Sequence, residues 1–241
     1  MGVLNLSGPN LSGIVDPADR LAALRDAVSG RIVFTTSFGI EDQAITHMIA
    51  ERGLAVEIVT LDTGRLFPST VATWEETERR YGLTIHGYHP AVEAVDSYVT
   101  RNGKDGFYWS REARELCCHI RKVEPLGRAL AGAAAWITGL RADQSGARSV
   151  VELAAHDEER GLIKVAPLFD WTRAQVVDFC AANSVPINPL HARGYASIGC
   201  EPCTRALKSG EPERAGRWWW ENESARECGL HVAAAQAGEA A

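Results

Sequence analysis

Short apolar runs alternate along this chain with stretches whose apolar positions recur at helical spacing. Leu21, Leu24 and Val28 share one face behind Asp16-Pro17, an acidic cap followed by a proline, and predict a helix. The β-branched run from Arg31 to Ser37 predicts a buried strand, and a helix follows from about Glu41 to Glu51. The same alternation continues with a strand at Ala55–Thr60, a helix from Pro68 to Tyr81, a strand at Leu83–Tyr88 and a helix from Ala91 to Arg101. A helix from Arg111 to Lys122 and another from Val123 to Leu130 precede a strand at Ala134–Thr138. Val150–Ala154 and Leu162–Val165 predict two short strands, and Trp171-Thr172 caps a helix reaching Asn183, with Cys180 toward the core. Strands that alternate with helices imply an α/β fold with a doubly wound, mostly parallel sheet. Ligands of such sheets sit at the carboxyl ends of the strands.

Composition narrows the setting. The chain has 241 residues, 46% of them hydrophobic and 23% charged, which is ordinary for a globule with a substantial core. Its formal charge of −6 gives no global basic field for nucleic acid, although a local basic pocket for a small anion stays open. No run approaches the ~18 apolar residues of a membrane span. Met1 to Gly13 lacks the basic and apolar regions of a signal peptide, so the six cysteines read as metal and redox chemistry in the cytoplasm. Residues 1–15 read as an N-terminal arm, 16–210 as the α/β domain and 211–241 as a C-terminal segment.

Cysteine spacing is the sharpest chemical signal. Cys117-Cys118 and the Cys-x-x-Cys of Cys200 and Cys203 form two pairs, a ligand set for tetrahedral zinc or for an iron–sulfur cube. Neighbouring side chains on a helix diverge by about 100°, so a tandem pair serving one ion needs local distortion. A cluster offers such a pair separate iron corners, which favours iron–sulfur. The turn Ser37-Phe38-Gly39-Ile40-Glu41-Asp42 joins a strand to a helix N-terminus, where free backbone N–H groups hold an anion. It lacks the ending of a Walker loop, and a plain strand-to-helix turn is the competing reading. Leu61-Asp62-Thr63-Gly64 ends the next strand, and the two turns together suggest a nucleotide site.

The loop from Gly139 to Arg148 carries Arg141 and Arg148, which suit a phosphate or sulfate as well as they suit a solvated loop. Trp218, Trp219 and Trp220 predict packing against the body. Near the end lies Cys228, with His231 three residues on and Arg214 and Arg217 upstream. These cations could lower its pKa, and a tail bearing one thiol could close over a ligand. A lone tail cysteine is otherwise incidental.

Taken in order, these motifs resemble those of the assimilatory adenylyl-sulfate reductases. The matching elements are the Ser37–Asp42 turn, Leu61–Gly64 with Leu66-Phe67-Pro68, and Cys117-Cys118 with Arg121-Lys122-Val123-Glu124-Pro125-Leu126. Gly139-Leu140-Arg141 with Gln144, Ser145 and Arg148, then Gly199 to Cys203, then Glu227 to His231 complete the set. The resemblance implies an adenine-nucleotide alpha-hydrolase-like (PP-loop type) fold with a C-terminal redox tail. It implies a [4Fe-4S] cluster on Cys117, Cys118, Cys200 and Cys203, with Lys122 between cluster and substrate. Cys228 would be the catalytic nucleophile. Ser37, Phe38, Gly39, Glu41, Asp42, Leu61, Asp62, Thr63 and Gly64 would hold the adenosine part. Gly139, Arg141, Arg148, Arg214, Arg217, Lys122 and His231 would complete the substrate site.

The implied reaction is thioredoxin-dependent reduction of adenylyl sulfate to sulfite and AMP through a cysteine S-sulfo intermediate, in assimilation toward cysteine. Reduced thioredoxin is the implied partner and a homo-oligomer the implied assembly, with no nucleic acid or membrane. Members with the four cluster cysteines prefer adenylyl sulfate to its 3′-phosphorylated form, and all four are present. The alternatives are a 3′-phosphoadenylyl-sulfate reductase, a PP-loop ATP-pyrophosphatase-type ligase or thiolase, and a zinc- or cluster-stabilised nucleotide-binding regulator with an inert tail.

Overall fold

A computed structural model describes residues 11–145 and 148–221. The order of elements is α1 (Pro17–Ala27), β1 (Arg31–Thr36), α2 (Ile40–Glu51), β2 (Glu57–Leu61), α3 (Pro68–Tyr81), β3 (His86–Tyr88) and α4 (Val92–Asn102). There follow α5 (Arg111–Cys118), α6 (Glu124–Leu130), β4 (Ala133–Ile137), β5 (Ala154–Asp157), β6 (Leu162–Val165) and α7 (Arg173–Ala182). The cap read at Asp16 is real: its carboxylate accepts from the N–H groups of Ala18 and Asp19 at 2.8 and 3.0 Å.

Among the described residues the strands form one sheet in the order β3-β2-β1-β4-β6-β5. Every pairing is parallel except β5 with β6. Strand β1 is central, with β2 on one side and β4 on the other, so the order reverses there. The period of two sends Ile32 and Phe34 to one face and Val33 to the other, and all three are buried. The first face packs on α1, α2 and α7 through Leu21, Leu24, Ile45, Met48, Val176 and Cys180. The second meets Leu126, Ala129 and Leu130 of α6 through Val33, Val59 and Trp136. Each buried Val, Leu, Ile, Phe or Met among them contributes about 1.5–3 kcal/mol by leaving water.

Two elements depart from the sequence reading. The apolar run Val150-Val151 is no strand: its backbone turns, Val151 N–H reaches Arg148 O at 2.9 Å, and Val150 is exposed. Strand β5 begins at Ala154 instead, where antiparallel register to Val165 supplies its hydrogen bonds. The helix expected to run to Lys122 is α-helical only to Cys118, then passes through a π-helical turn at His119–Val123 into α6. Pro125 has no N–H to return to Arg121, which removes one α-helical bond at this junction.

The segment expected to begin at residue 211 is tied to the body over its described part. Arg205 and Glu211 form a two-bonded ion pair, and Thr204 bridges Arg217. No helix among the described residues is long and apolar enough to cross a membrane.

Candidate active site

A cleft of about 190 Å³ opens where β1, β2 and β4 end. Of the residues singled out from sequence, Ser37, Phe38, Gly39, Glu41, Asp42, Leu61, Thr63, Lys122, Gly139, Arg148, Arg214 and Arg217 line it. Asp62, Gly64 and Arg141 do not. Cys228 and His231 lie outside the described residues.

The β1–α2 turn is built around Asp42. Its carboxylate accepts from the Ser37 N–H at 2.6 Å and from the Ser37 hydroxyl at 2.7 Å. Burial pushes the Asp42 carboxyl up to about 6, against the pull of both Ser37 bonds. Between them Phe38 takes a left-handed φ of 58°, an uncommon conformation for a residue with a side chain. Its N–H donates to Thr36 Oγ1 at 3.0 Å, and its ring stacks on Trp74 with centroids 5.6 Å apart. Gly39 caps α2 without a side-chain bond. Gly139 faces the same carboxylate so closely that a Cβ would lie 2.1 Å from Asp42 Oδ1.

Asp62 and Gly64 shape their turn from behind. Asp62 Oδ1 accepts from Gly64 N–H at 2.9 Å, Gly64 has φ +67°, and Arg121 donates to Thr63 O at 2.6 Å. The expectation for Arg141 is corrected more sharply. Its guanidinium is fully buried and donates to Glu41 at 2.8 and 3.0 Å, to Glu213 at 3.1 Å and to Asp143 at 3.2 Å. Three carboxylates occupy the place expected for a phosphate or sulfate. Glu213, which also pairs with Arg173 at 3.2 Å, thereby fixes the segment that carries Arg214 and Arg217. Arg217 lies against Gly199, where a Cβ would come within 2.2 Å of its guanidinium.

The four cysteines of the two pairs line one small cavity with Phe107, Trp218, Arg65, Arg114, Arg121 and Lys122. Cys117 and Cys118 end α5, directly before the π-helical turn. Cys200 and Cys203 bracket a tight turn in which Cys203 N–H reaches Cys200 O at 3.0 Å. Thr63 Oγ1 is 3.4 Å from Cys200 Sγ. Burial works against ionising Cys200, but Lys122, Thr63, Arg217 and Arg121 outweigh it and hold this thiol below its ordinary range. Burial raises Cys117, and Cys203 is pushed up to about 12.

Trp218 closes the cavity: its backbone N–H donates to Cys203 O at 3.1 Å, and the guanidinium groups of Arg114 and Arg217 pack on its ring. Trp220 packs edge-on against Tyr108, 4.5 Å between centroids, so the tryptophan run packs as read from sequence. Among the described residues no three His, Cys, Asp or Glu side chains gather as a single metal-ion site. Lys122, Cys200 and Trp218 line both cavity and cleft.

The family model of the phosphoadenosine phosphosulfate reductase domain matches residues 31–206. The chain belongs to this family. Within it, the chain is 55% identical over 226 residues to the adenosine 5′-phosphosulfate reductase of Agrobacterium fabrum, covering 94% of this chain and 86% of that protein. It is 52% identical over 200 residues to the enzyme of the same name from Allochromatium vinosum, covering 83% of this chain and 78% of that one. The crystal structure of phosphoadenylyl-sulfate (PAPS) reductase from Candida auris, a phosphate complex, superposes with TM-score 0.68 at 29% identity. That match covers 80% of this chain and 91% of the other. Yeast FAD synthetase in complex with FAD, at 16% identity and TM-score 0.54, shares the fold alone. Several walls of this reductase-domain cleft escaped sequence reading: Thr36, Thr60, Trp136, His191 and Glu213. The strand ends pointed to the two threonines; nothing local marked the others.

Proposed function

We propose that this chain reduces adenylyl sulfate to sulfite and AMP, with a reduced thioredoxin as electron donor and Cys228 as nucleophile. The observation that carries the reading is the shared wall. Lys122 and Cys200 border both the cleft at the strand ends and a cavity lined by four thiols. The relatives named adenosine 5′-phosphosulfate reductase support the choice of substrate over its 3′-phosphorylated form.

Ser37 to Asp42, Leu61 and Thr63 would hold the nucleoside, while Lys122, Arg148, Arg214 and Arg217 offset charge on the phosphosulfate. The Cys228 thiolate attacks the sulfate sulfur, the bond from sulfur to the bridging oxygen breaks, and AMP leaves with the electron pair. The enzyme then carries an S-sulfocysteine. A thioredoxin thiolate attacks Cys228 Sγ and sulfite departs with the pair of the broken S–S bond. Thioredoxin's second thiolate resolves the mixed disulfide, so its dithiol supplies both electrons. His231 would orient Cys228.

Cys117, Cys118, Cys200 and Cys203 fit a [4Fe-4S] cluster: four thiols share one cavity, and cations surround them. When bound, it would supply fixed charge and a structural tie beside Lys122. Asp42 disfavours the ATP-pyrophosphatase reading, because its carboxylate already takes the Ser37 N–H. The protein would act in the cytoplasm as a homo-oligomer.

Intact mass of the anaerobic protein after adding adenylyl sulfate without reductant tests the reaction. One SO₃ gained on Cys228, absent from Cys228→Ser and released as sulfite by reduced thioredoxin, is expected. A fully clustered protein that gains nothing would refute it.

A further inference from the structure

His191 sits in a short 3-10 turn, His191–Arg193, and lines the cleft. Its Nδ1 is 2.8 Å from the carbonyl oxygen of Tyr195. A carbonyl only accepts, so Nδ1 carries the hydrogen and Nε2 of the neutral ring is left with a lone pair. The carrier is rigid: Tyr195 N–H returns to Leu190 O at 3.1 Å, and the Tyr195 ring packs edge-on against Phe67 at 5.7 Å. Burial, with Arg173 nearby, lowers the His191 pKa despite the Tyr195 bond and Glu41, which keeps the ring neutral near pH 7. Nε2 is shielded from solvent and has no hydrogen-bond partner within the described protein. A buried acceptor without a donor costs about 1–3 kcal/mol, so a donor supplied from the cleft that His191 lines would be favourable.

The chemistry of an adenylyl ligand narrows that ligand group. Ionised phosphate and sulfate oxygens accept and cannot donate. The donors of adenylyl sulfate are its adenine amino group and its ribose hydroxyls. We infer that His191 is a specificity-determining residue whose Nε2 accepts a hydrogen bond from the nucleoside half of the substrate. This rests on the adenylyl-nucleotide reading above and adds to it a contact that reads the nucleoside. If the donor is the 3′-hydroxyl, a 3′-phosphate would set acceptor against acceptor, and His191 would help to exclude the phosphorylated substrate.

Calorimetric binding to the full-length protein tests this with AMP, 2′-deoxy-AMP, 3′-deoxy-AMP and purine riboside 5′-monophosphate, which lacks the amino group. His191→Asn keeps a side-chain N–H where Nδ1 stood and has nothing at Nε2. His191→Gln carries an amide oxygen to the Nε2 position. We expect His191→Asn to bind AMP about tenfold more weakly than the unaltered protein, and His191→Gln to recover part of that loss. The analogue lacking the matched donor binds the unaltered protein and His191→Asn alike, and so names the group. Equal weakening of all four nucleotides in His191→Asn, or none, overturns the inference. Failure of AMP to bind the unaltered protein overturns the nucleotide reading and the inference with it.

Discussion

Around β1 the interior consists of Ile32, Val33, Phe34, Leu24 and Ile45; around Trp218 it consists of Arg114, Arg217, Cys118, Cys200 and Cys203. The first region is a sheet and its helices, held by apolar surface that needs no particular partner. The second, residues 186–221 wrapped over the strand ends, has only short turns of regular structure. Two buried cations tie it to the body through carboxylates: Arg114 to Glu221, and Arg141 to Glu41 and Glu213. Burying such charges is tolerable only while the partners stay in place. The cleft lies where the two regions meet, so rigid strand ends form one wall and the charge-held wrap brings Arg214 and Arg217 to the other.

The largest separation of the two regions should come from Cys203→Ser. We expect loss of the iron and sulfide of the proposed cluster, with protease cleavage confined to residues 186–221 and an unchanged far-UV spectrum. Cleavage throughout the chain would show that the sheet depends on the wrap.

Next is Arg141→Met, which leaves Glu41 buried without its cation and Glu213 with Arg173 alone. Urea unfolding should register a loss of about 4 kcal/mol. A neutral result would mean that water reaches the carboxylates. Leu24→Ala acts on the other region and should cost about 3 kcal/mol in the same measurement, while AMP affinity stays unchanged.

The smallest effect is a pH slope. Asp42 has its folded pKa raised to about 6, so between its ordinary value and 6 the native state binds more protons than the unfolded chain. Its contribution to stability therefore falls as pH rises through that window, by up to about 1.4 kcal/mol per pH unit. Asp42→Asn should remove this limb from the difference between the two unfolding curves; parallel curves would place the proton elsewhere.

This contrast also explains what the sequence could convey. The sheet was legible because apolar period and β-branched runs report burial locally, and because strand ends announce where a cleft lies. The failure at Val150-Val151 marks the limit: two valines look like a strand, but the register of β6 begins its partner at Ala154. Arg141 marks a second limit. An arginine in a glycine loop suits a substrate anion and a buried carboxylate equally, and its partners Glu41 and Glu213 lie 100 and 72 residues away. His191 carries no local signal, since its role emerges only once Tyr195 takes one nitrogen. The tandem cysteines did hint at helical distortion, and a π-helical turn follows them.

The two cysteine pairs lie on opposite sides of β4, β5, β6 and α7, and this sets a schedule for biosynthesis. Roughly 80 residues separate Cys118 from Cys200, which at about 5–20 residues per second is a gap of several seconds. During that interval the nascent chain presents Cys117 and Cys118 without Cys200, Cys203 or the covering Trp218. Two neighbouring thiols are then exposed together on the ribosome, before the pair that shares their cavity has been made.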